Sequence, residues 1–312
     1  MLIQTLLKLC VLSLLSGTIS AAEMKVSQGD TQAAEALTAG LLRASENPES
    51  PFHLQVNCTD EKGIRSMNLF PGGTAIWNGS SQVTVPPTTR SALLRSLLNQ
   101  GFPDFKESYG GRDRPEKEAA APRISCQISI KIEDLQKISV QKAGGQQSTE
   151  LTGLAAGLLD QVAPFAQDGI SASNLQDALD KLLAGQLAPQ SLNLRFMELP
   201  AKDKTAQGYI IRLRGGNLSR QAYSPGSSIG EAKWQALEQG QYLKLVTALQ
   251  QAELANLPGN LWSEEQLELE IQVLDQKKIV LARPFGRLDQ KAQAAEKQRF
   301  DTLLLSVRDL GQ

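Results

Sequence analysis

Few residues in this chain have the type and spacing needed for chemistry. His53 is the only histidine among 312 residues. A histidine base works with an acid or nucleophile beside it, and no such signature accompanies His53. It lies between Phe52 and Leu54, so strand alternation turns it to the face opposite the core. The cysteines are Cys10, Cys58 and Cys126. They make no Cys-x-x-Cys redox pair or haem attachment site, and they are too few for a four-thiolate zinc centre. No metal and no cofactor is expected.

Carboxylates come next. Asp134 and Asp275 recur in similar surroundings, between alternating apolar runs. Two facing carboxylates are the machinery of glycoside hydrolysis, but aspartate in such a place has an ordinary role in capping a tight turn. Gly72-Gly73 and Gly215-Gly216 are not followed by the Gly-Lys-Ser/Thr of a phosphate loop. Lys277, Lys278, Arg283, Arg287 and Lys291 form a modest basic zone that Asp275 and Asp289 dilute, which reads as a solvated rim. Lys+Arg 32 against Asp+Glu 33, with aromatic residues at 5%, leaves neither a bulk field nor stacking platforms for nucleic acid. A nucleic-acid partner is therefore not expected.

The chain opens with Lys8, an apolar run from Leu9 to Leu15 and the small residues Ser20-Ala21-Ala22. That order is the charged, apolar and cleavage order of a bacterial secretory signal peptide. Residues 1–22 are read as a leader cleaved before Glu23, which predicts a periplasmic or secreted protein. The apolar run is shorter than the roughly 20 residues of a membrane helix, so no transmembrane span is expected in the mature chain. Removing the leader takes Cys10 with it, leaving Cys58 and Cys126 in an oxidising compartment. Cys58 shares strand parity with Leu54 and Val56, and Cys126 with Ile128 and Ile130. If their strands are neighbours, a disulfide closes a loop of about 67 residues, worth about 4 kcal/mol by the chain-entropy model; a buried pair of free thiols is the alternative.

The elements that must position these residues repeat. Ile128 to Val140 lines up with Leu269 to Leu281 at an offset of about 140 residues, both reading strand, polar turn, strand. Upstream, Phe52, Leu54 and Val56 match Leu192, Leu194 and Phe196, and Gly72-Gly73 matches Gly215-Gly216 at a second hairpin turn. Helices recur around Ala36 to Leu42 and Ala178 to Leu183, at Ser91 to Leu98 and Leu243 to Leu249, and at Leu151 to Val162 and Gln298 to Leu310. Thr88 or Thr89 is available as an N-cap. The reading is α+β: two tandem related domains, 23–168 and 169–312, each an antiparallel sheet packed on one face by helices. Residues 106–121 are read as a mobile charged insert in the first, and a helix-like stretch around Glu231 to Gln239, with Trp234, as an insert in the second.

The run Phe70-Pro71-Gly72-Gly73-Thr74-Ala75-Ile76-Trp77-Asn78-Gly79 precedes a strand, a leucine-rich helix, Gly101-Phe102-Pro103-Asp104-Phe105 and Tyr109-Gly110. Together they resemble an uncharacterised domain family of bacterial exported proteins. The resemblance covers Phe52 to Phe165 and implies a hairpin, helix, hairpin, helix order. It implies no activity, and the second copy lacks the Gly-Thr-x-x-Trp-x-Gly run. In architecture alone the plan is similar to the tandem α/β repeats of β-lactamase inhibitor proteins.

An antiparallel sheet covered on one side leaves its other face to water. In the first copy that face carries His53, Gln55, Asn57 and Lys131; in the second, Asn193, Arg195, Glu268 and Glu270. Side by side they form a platform, with Trp77 and the loops at its edge, suited to an envelope protein or polymer. The functional reading is a non-enzymatic binding protein of the envelope. The alternatives are a carboxylate-based periplasmic hydrolase in the groove between the domains and an envelope assembly or scaffold factor.

Overall fold

In the computed structural model the described residues are 28–47, 50–60, 63–109, 124–141, 148–199, 208–223, 232–284 and 293–310. The leader and its cleavage site lie outside them, as do residues 110–121 of the charged insert. Alternation makes the sheets. In β1 (Phe52–Asp60) and β6 (Ser125–Ile132), residues Leu54, Val56, Ile128 and Ile130 are fully buried while those between them stay half-open. The two strands pair antiparallel, with Leu54 opposite Ile130 and Val56 opposite Ile128.

β2 (Gly63–Leu69), β3 (Thr74–Trp77), β4 (Ser81–Thr84), β5 (Ser108–Tyr109), β7 (Leu135–Gln141) and β8 (Ile170–Ser171) complete the first sheet, in the order β5-β7-β6-β1-β2-β3-β4-β8. Three helices cover its inner face: α1 (Gln28–Glu46), α2 (Pro87–Asn99) and α3 (Thr149–Val162). Leu41, Leu93, Leu97, Leu154 and Leu158 supply the helical side of this core, each burial contributing roughly 1.5–3 kcal/mol. The Ser148 hydroxyl caps α3 by accepting from the Leu151 amide at 3.2 Å.

The second half has α4 (Leu175–Leu183), β9 (Leu192–Leu199), β10 (Gly208–Arg214), β11 (Asn217–Tyr223) and β12 (Gln235–Ala236). There follow α5 (Gln239–Gln251), β13 (Asn260–Trp262), β14 (Gln266–Val273), β15 (Gln276–Arg283) and α6 (Ala294–Arg308). Its sheet order is β12-β11-β10-β9-β14-β15-β13. Read from the other end this matches the first sheet strand for strand, apart from β8, and in each sheet the pair nearest one edge, β5 with β7 or β13 with β15, is parallel. The Glu133-Asp134 and Leu274-Asp275 turns match as well: Glu133 and Leu274 take φ values of 53° and 55°. The left-handed residue is thus the one before the aspartate, at about 1–3 kcal/mol of backbone strain.

Four local expectations are corrected. α2 starts at Pro87 with no side-chain cap, so neither Thr88 nor Thr89 is its N-cap; proline at the first helical position has no amide that needs one. Residues 106–109 are not part of a mobile insert, since β5 pairs with β7 and the Ser139 hydroxyl donates to the Lys106 carbonyl. Among the described residues of the stretch around Trp234 there is no helix before Gln239; β12 lies there, paired to β11. The first sheet also runs past residue 168, because β8 pairs with β4.

The halves meet where the outer side of β3 and β4 abuts the start of β9 and the β10–β11 turn. Gln82 on β4 is 9% exposed and spans the joint. Its Oε1 accepts from the Ala188 amide at 2.6 Å and the Ser191 hydroxyl at 2.8 Å, and its Nε2 donates to the Gln186 carbonyl at 3.3 Å. Ile76 on β3 packs against the second core.

Candidate binding face

The outer face of the second sheet is built by strand register. Three rows cross it. Arg212, Arg195, Glu270 and Ile279 stand opposite one another on β10, β9, β14 and β15. Ile210, Met197, Glu268 and Leu281 form the row on one side of it, and Asn193, Gln272 and Lys277 the row on the other. Arg195 Nη1 lies 3.1 Å from Glu268 and 3.9 Å from Glu270, while Lys277 Nζ lies 2.6 Å from Glu270. The four charges alternate in sign across β9, β14 and β15, and all are partly exposed. Pairs this open contribute at most about 1 kcal/mol each to stability.

Arg212 completes the array without a carboxylate. Its Nη1 donates to Gln221 Oε1, and burial together with the Arg195 and Arg214 guanidiniums lowers its pKa from the usual arginine value. Beside it on β11, Ser219 is 1% exposed and its hydroxyl is unpaired. At the far end of the row Ile279 is exposed on the same face. An apolar side chain there, next to alternating charge, cannot come from core patterning, because its neighbour Val280 faces the core.

The first sheet's outer face is less open than alternation implies. His53 does face away from the core, but it is half-buried: its ring stacks on Phe70 at 5.0 Å and 19°, and Nε2 lies 2.6 Å from Asn68 Oδ1. Burial lowers its pKa, against the Asn68 hydrogen bond, with Lys131 lowering it further. Lys131, directly opposite on β6, is exposed, and Gln55 is half-buried beside Ser129. Phe70, Ile76 and Gln82 are engaged by the second half, which covers that part of the first sheet.

Trp77 requires a correction. It is no platform-edge residue; its side chain belongs to the first core at 9% exposure, because it shares parity with Ala75, opposite Val83. Cys58 and Cys126 stand opposite each other on β1 and β6, with Cα atoms 4.1 Å apart, and are joined as a disulfide. The basic zone does not form one patch. Lys277 faces outward to Glu270, whereas Lys278 points inward and donates to the Ala255 carbonyl at 3.3 Å; Arg287 and Lys291 lie outside the described residues.

Asp134 and Asp275 are exposed at their turns and are not brought together. Asp275 adjoins Gln276, which donates to the Ala172 carbonyl just past β8, five strands across the first sheet from the β6–β7 turn that holds Asp134. At about 4.8 Å per strand that offset is about 24 Å, well beyond the carboxylate spacing of glycosidases. Among the described residues no group of three or more His, Cys, Asp or Glu is placed to hold a metal ion, and no helix is long and apolar enough to cross a membrane.

Arg212, Gln82 and the Phe70–Gly215 contact carry no sequence signal of their own. Arg212 sits in an ordinary alternating strand, and its role follows from the pairing of β10 with β9. Compared with known proteins, the chain matches no family model and no curated sequence.

Proposed function

We propose that this chain is an exported, non-enzymatic binding protein of the bacterial envelope, built from a duplicated α+β unit and acting through the outer face of its second sheet. The observation that carries this reading is the array of Arg195, Glu268, Glu270 and Lys277 with Ile279 exposed beside it. Alternating charge gives register and specificity to a protein partner, and the apolar side chain at the end of the row contributes the burial. The shared strand order of the two sheets supports duplication. The leader-like residues 1–22 and the likeness of the Phe70–Gly79 run to exported bacterial domains support the envelope location.

The test uses the full chain in envelope extract with residue-specific cross-linkers at the outer face. Wild-type protein is expected to cross-link one partner through positions around 195 and 270. Arg195→Glu or Glu270→Arg alone loses it, and the double reversal recovers part of it if the two charges serve mainly to order each other. Partners unchanged by the single reversals would overturn the assignment of this face.

A further inference from the structure

β13 is the last strand of the second sheet, and among the described residues one side chain lies along its outer edge. On its inner side it pairs in parallel with β15: the Leu281 amide donates to the Gly259 carbonyl at 2.9 Å and the Ser263 amide to the Arg283 carbonyl at 3.1 Å. Alternation along a strand then directs the backbone groups of Asn260 and Trp262 outward. One group of each is taken by Gln293. The Trp262 amide donates to Gln293 Oε1 at 3.1 Å, and Gln293 Nε2 donates to the Asn260 carbonyl at 3.3 Å.

This is the bonding pattern of a parallel strand. A residue facing Leu261 from such a strand donates its amide to the carbonyl before Leu261 and accepts from the amide after it. The Gln293 carboxamide makes those two bonds with a side chain. Edge strands are commonly blunted against unwanted pairing, and here the blunting group is an amide that a peptide backbone can replace bond for bond.

The same edge borders a groove of about 620 Å³ between β13 and α6, a size typical of ligand sites. Trp262 and Leu305 line it, and Leu305 is 63% exposed. The charges lining it are engaged in ion pairs, Lys297 with Asp301 and Arg308 with both Glu265 and Glu198, so no lining cation or carboxylate is left over to anchor a charged ligand. We propose that the β13 edge is a docking strand for an extended, uncharged segment of a partner polypeptide. The segment displaces the Gln293 carboxamide, runs parallel to β13 and sets an apolar side chain against Leu305, as in strand-addition recognition. This site is separate from the Arg195–Glu270 array, and either can fail while the other stands.

The probe is a labelled, end-capped heptapeptide of alternating valine and threonine with a glutamine at each end, titrated into the full chain by fluorescence anisotropy. Binding is expected, and N-methylation of the amides along one peptide edge abolishes it while methylation along the other leaves it unchanged. Gln293→Ala removes the competing bonds and tightens binding about fivefold. Leu305→Asp, at an exposed position, weakens it about tenfold or more with an unchanged circular dichroism spectrum. Arg195→Glu has no effect on the heptapeptide. Equal loss with both methylation patterns, or no binding by wild type and Gln293→Ala alike, overturns the proposal. Concentration-dependent dimerisation of Gln293→Ala in sedimentation equilibrium would assign the edge to a second copy of this chain and overturn it as well.

Discussion

Phe70 in the first half lies directly against Gly215 in the β10–β11 turn of the second: a Cβ on Gly215 would fall 2.7 Å from Phe70 Cε1. Phe70 is buried yet belongs to neither core, so this contact is part of the joint between the halves. Gly215 and Gly216 both take left-handed φ values, 55° and 79°, but nothing lies within 4 Å of a Cβ at Gly216. Gly216→Ala should therefore cost only the backbone term of about 1–2 kcal/mol. Gly215→Ala should add a steric term, for a total of about 2–4 kcal/mol. Urea unfolding of the two variants separates these, and equal losses would show that Phe70 moves aside freely.

The Gln82 clasp makes a second prediction about the same joint. Gln82→Ala strips partners from the Ala188 amide and from the hydroxyl of Ser191, which is 2% exposed. Leaving buried polar groups unpaired costs about 1–3 kcal/mol each, so a loss of about 2–4 kcal/mol is expected in urea unfolding. A loss below about 0.5 kcal/mol would mean that water replaces the carboxamide.

Removing the Cys58–Cys126 bridge frees a long loop in the unfolded chain. The Cys58→Ala, Cys126→Ala double variant should lose up to about 4 kcal/mol, read as a lower urea midpoint with a steeper slope, because the uncrosslinked unfolded chain exposes more surface. Reducing agent should shift the wild-type midpoint downward and leave the variant where it is. A wild-type midpoint insensitive to reductant would contradict a stabilising bond.

His53 gives the protein a pH-dependent term of known sign. Burial against Phe70 lowers its folded pKa below the ordinary 6.5, so the unfolded chain takes up a proton at a higher pH than the folded one does. The stability held by the neutral ring is complete above about 6.5 and is lost as pH falls from there toward the folded value. His53→Gln should flatten the stability profile in that window. A profile as steep in the variant as in the wild type would place the titration elsewhere.

Much of the fold was legible in the sequence, for a physical reason. Strands with one wet and one dry face must alternate, so Leu54, Val56, Ile128 and Ile130 announced both their strands and the inward aim of Cys58 and Cys126. The same alternation placed Arg195, Glu268 and Glu270 together on an outer face. It holds for Trp77 too, whose parity with Ala75 sends it to the core, and the edge expectation came from its motif-like surroundings instead. It also treated each sheet in isolation, and so left His53 on an open surface.

What the sequence by itself determined is the order of elements, the inner and outer faces of each strand and the similarity of the two halves, because periodicity and turn residues are local. Which strands become neighbours, and how the halves meet, was decided by tertiary structure alone. The Arg212–Arg195–Glu270–Ile279 row joins residues from β10, β9, β14 and β15. Gln82 finds partners more than a hundred residues away, and Gln293 meets β13 across an intervening hairpin. These are hydrogen bonds and packing contacts between surfaces that exist only once the sheets have closed, so no local pattern in the chain can encode their positions.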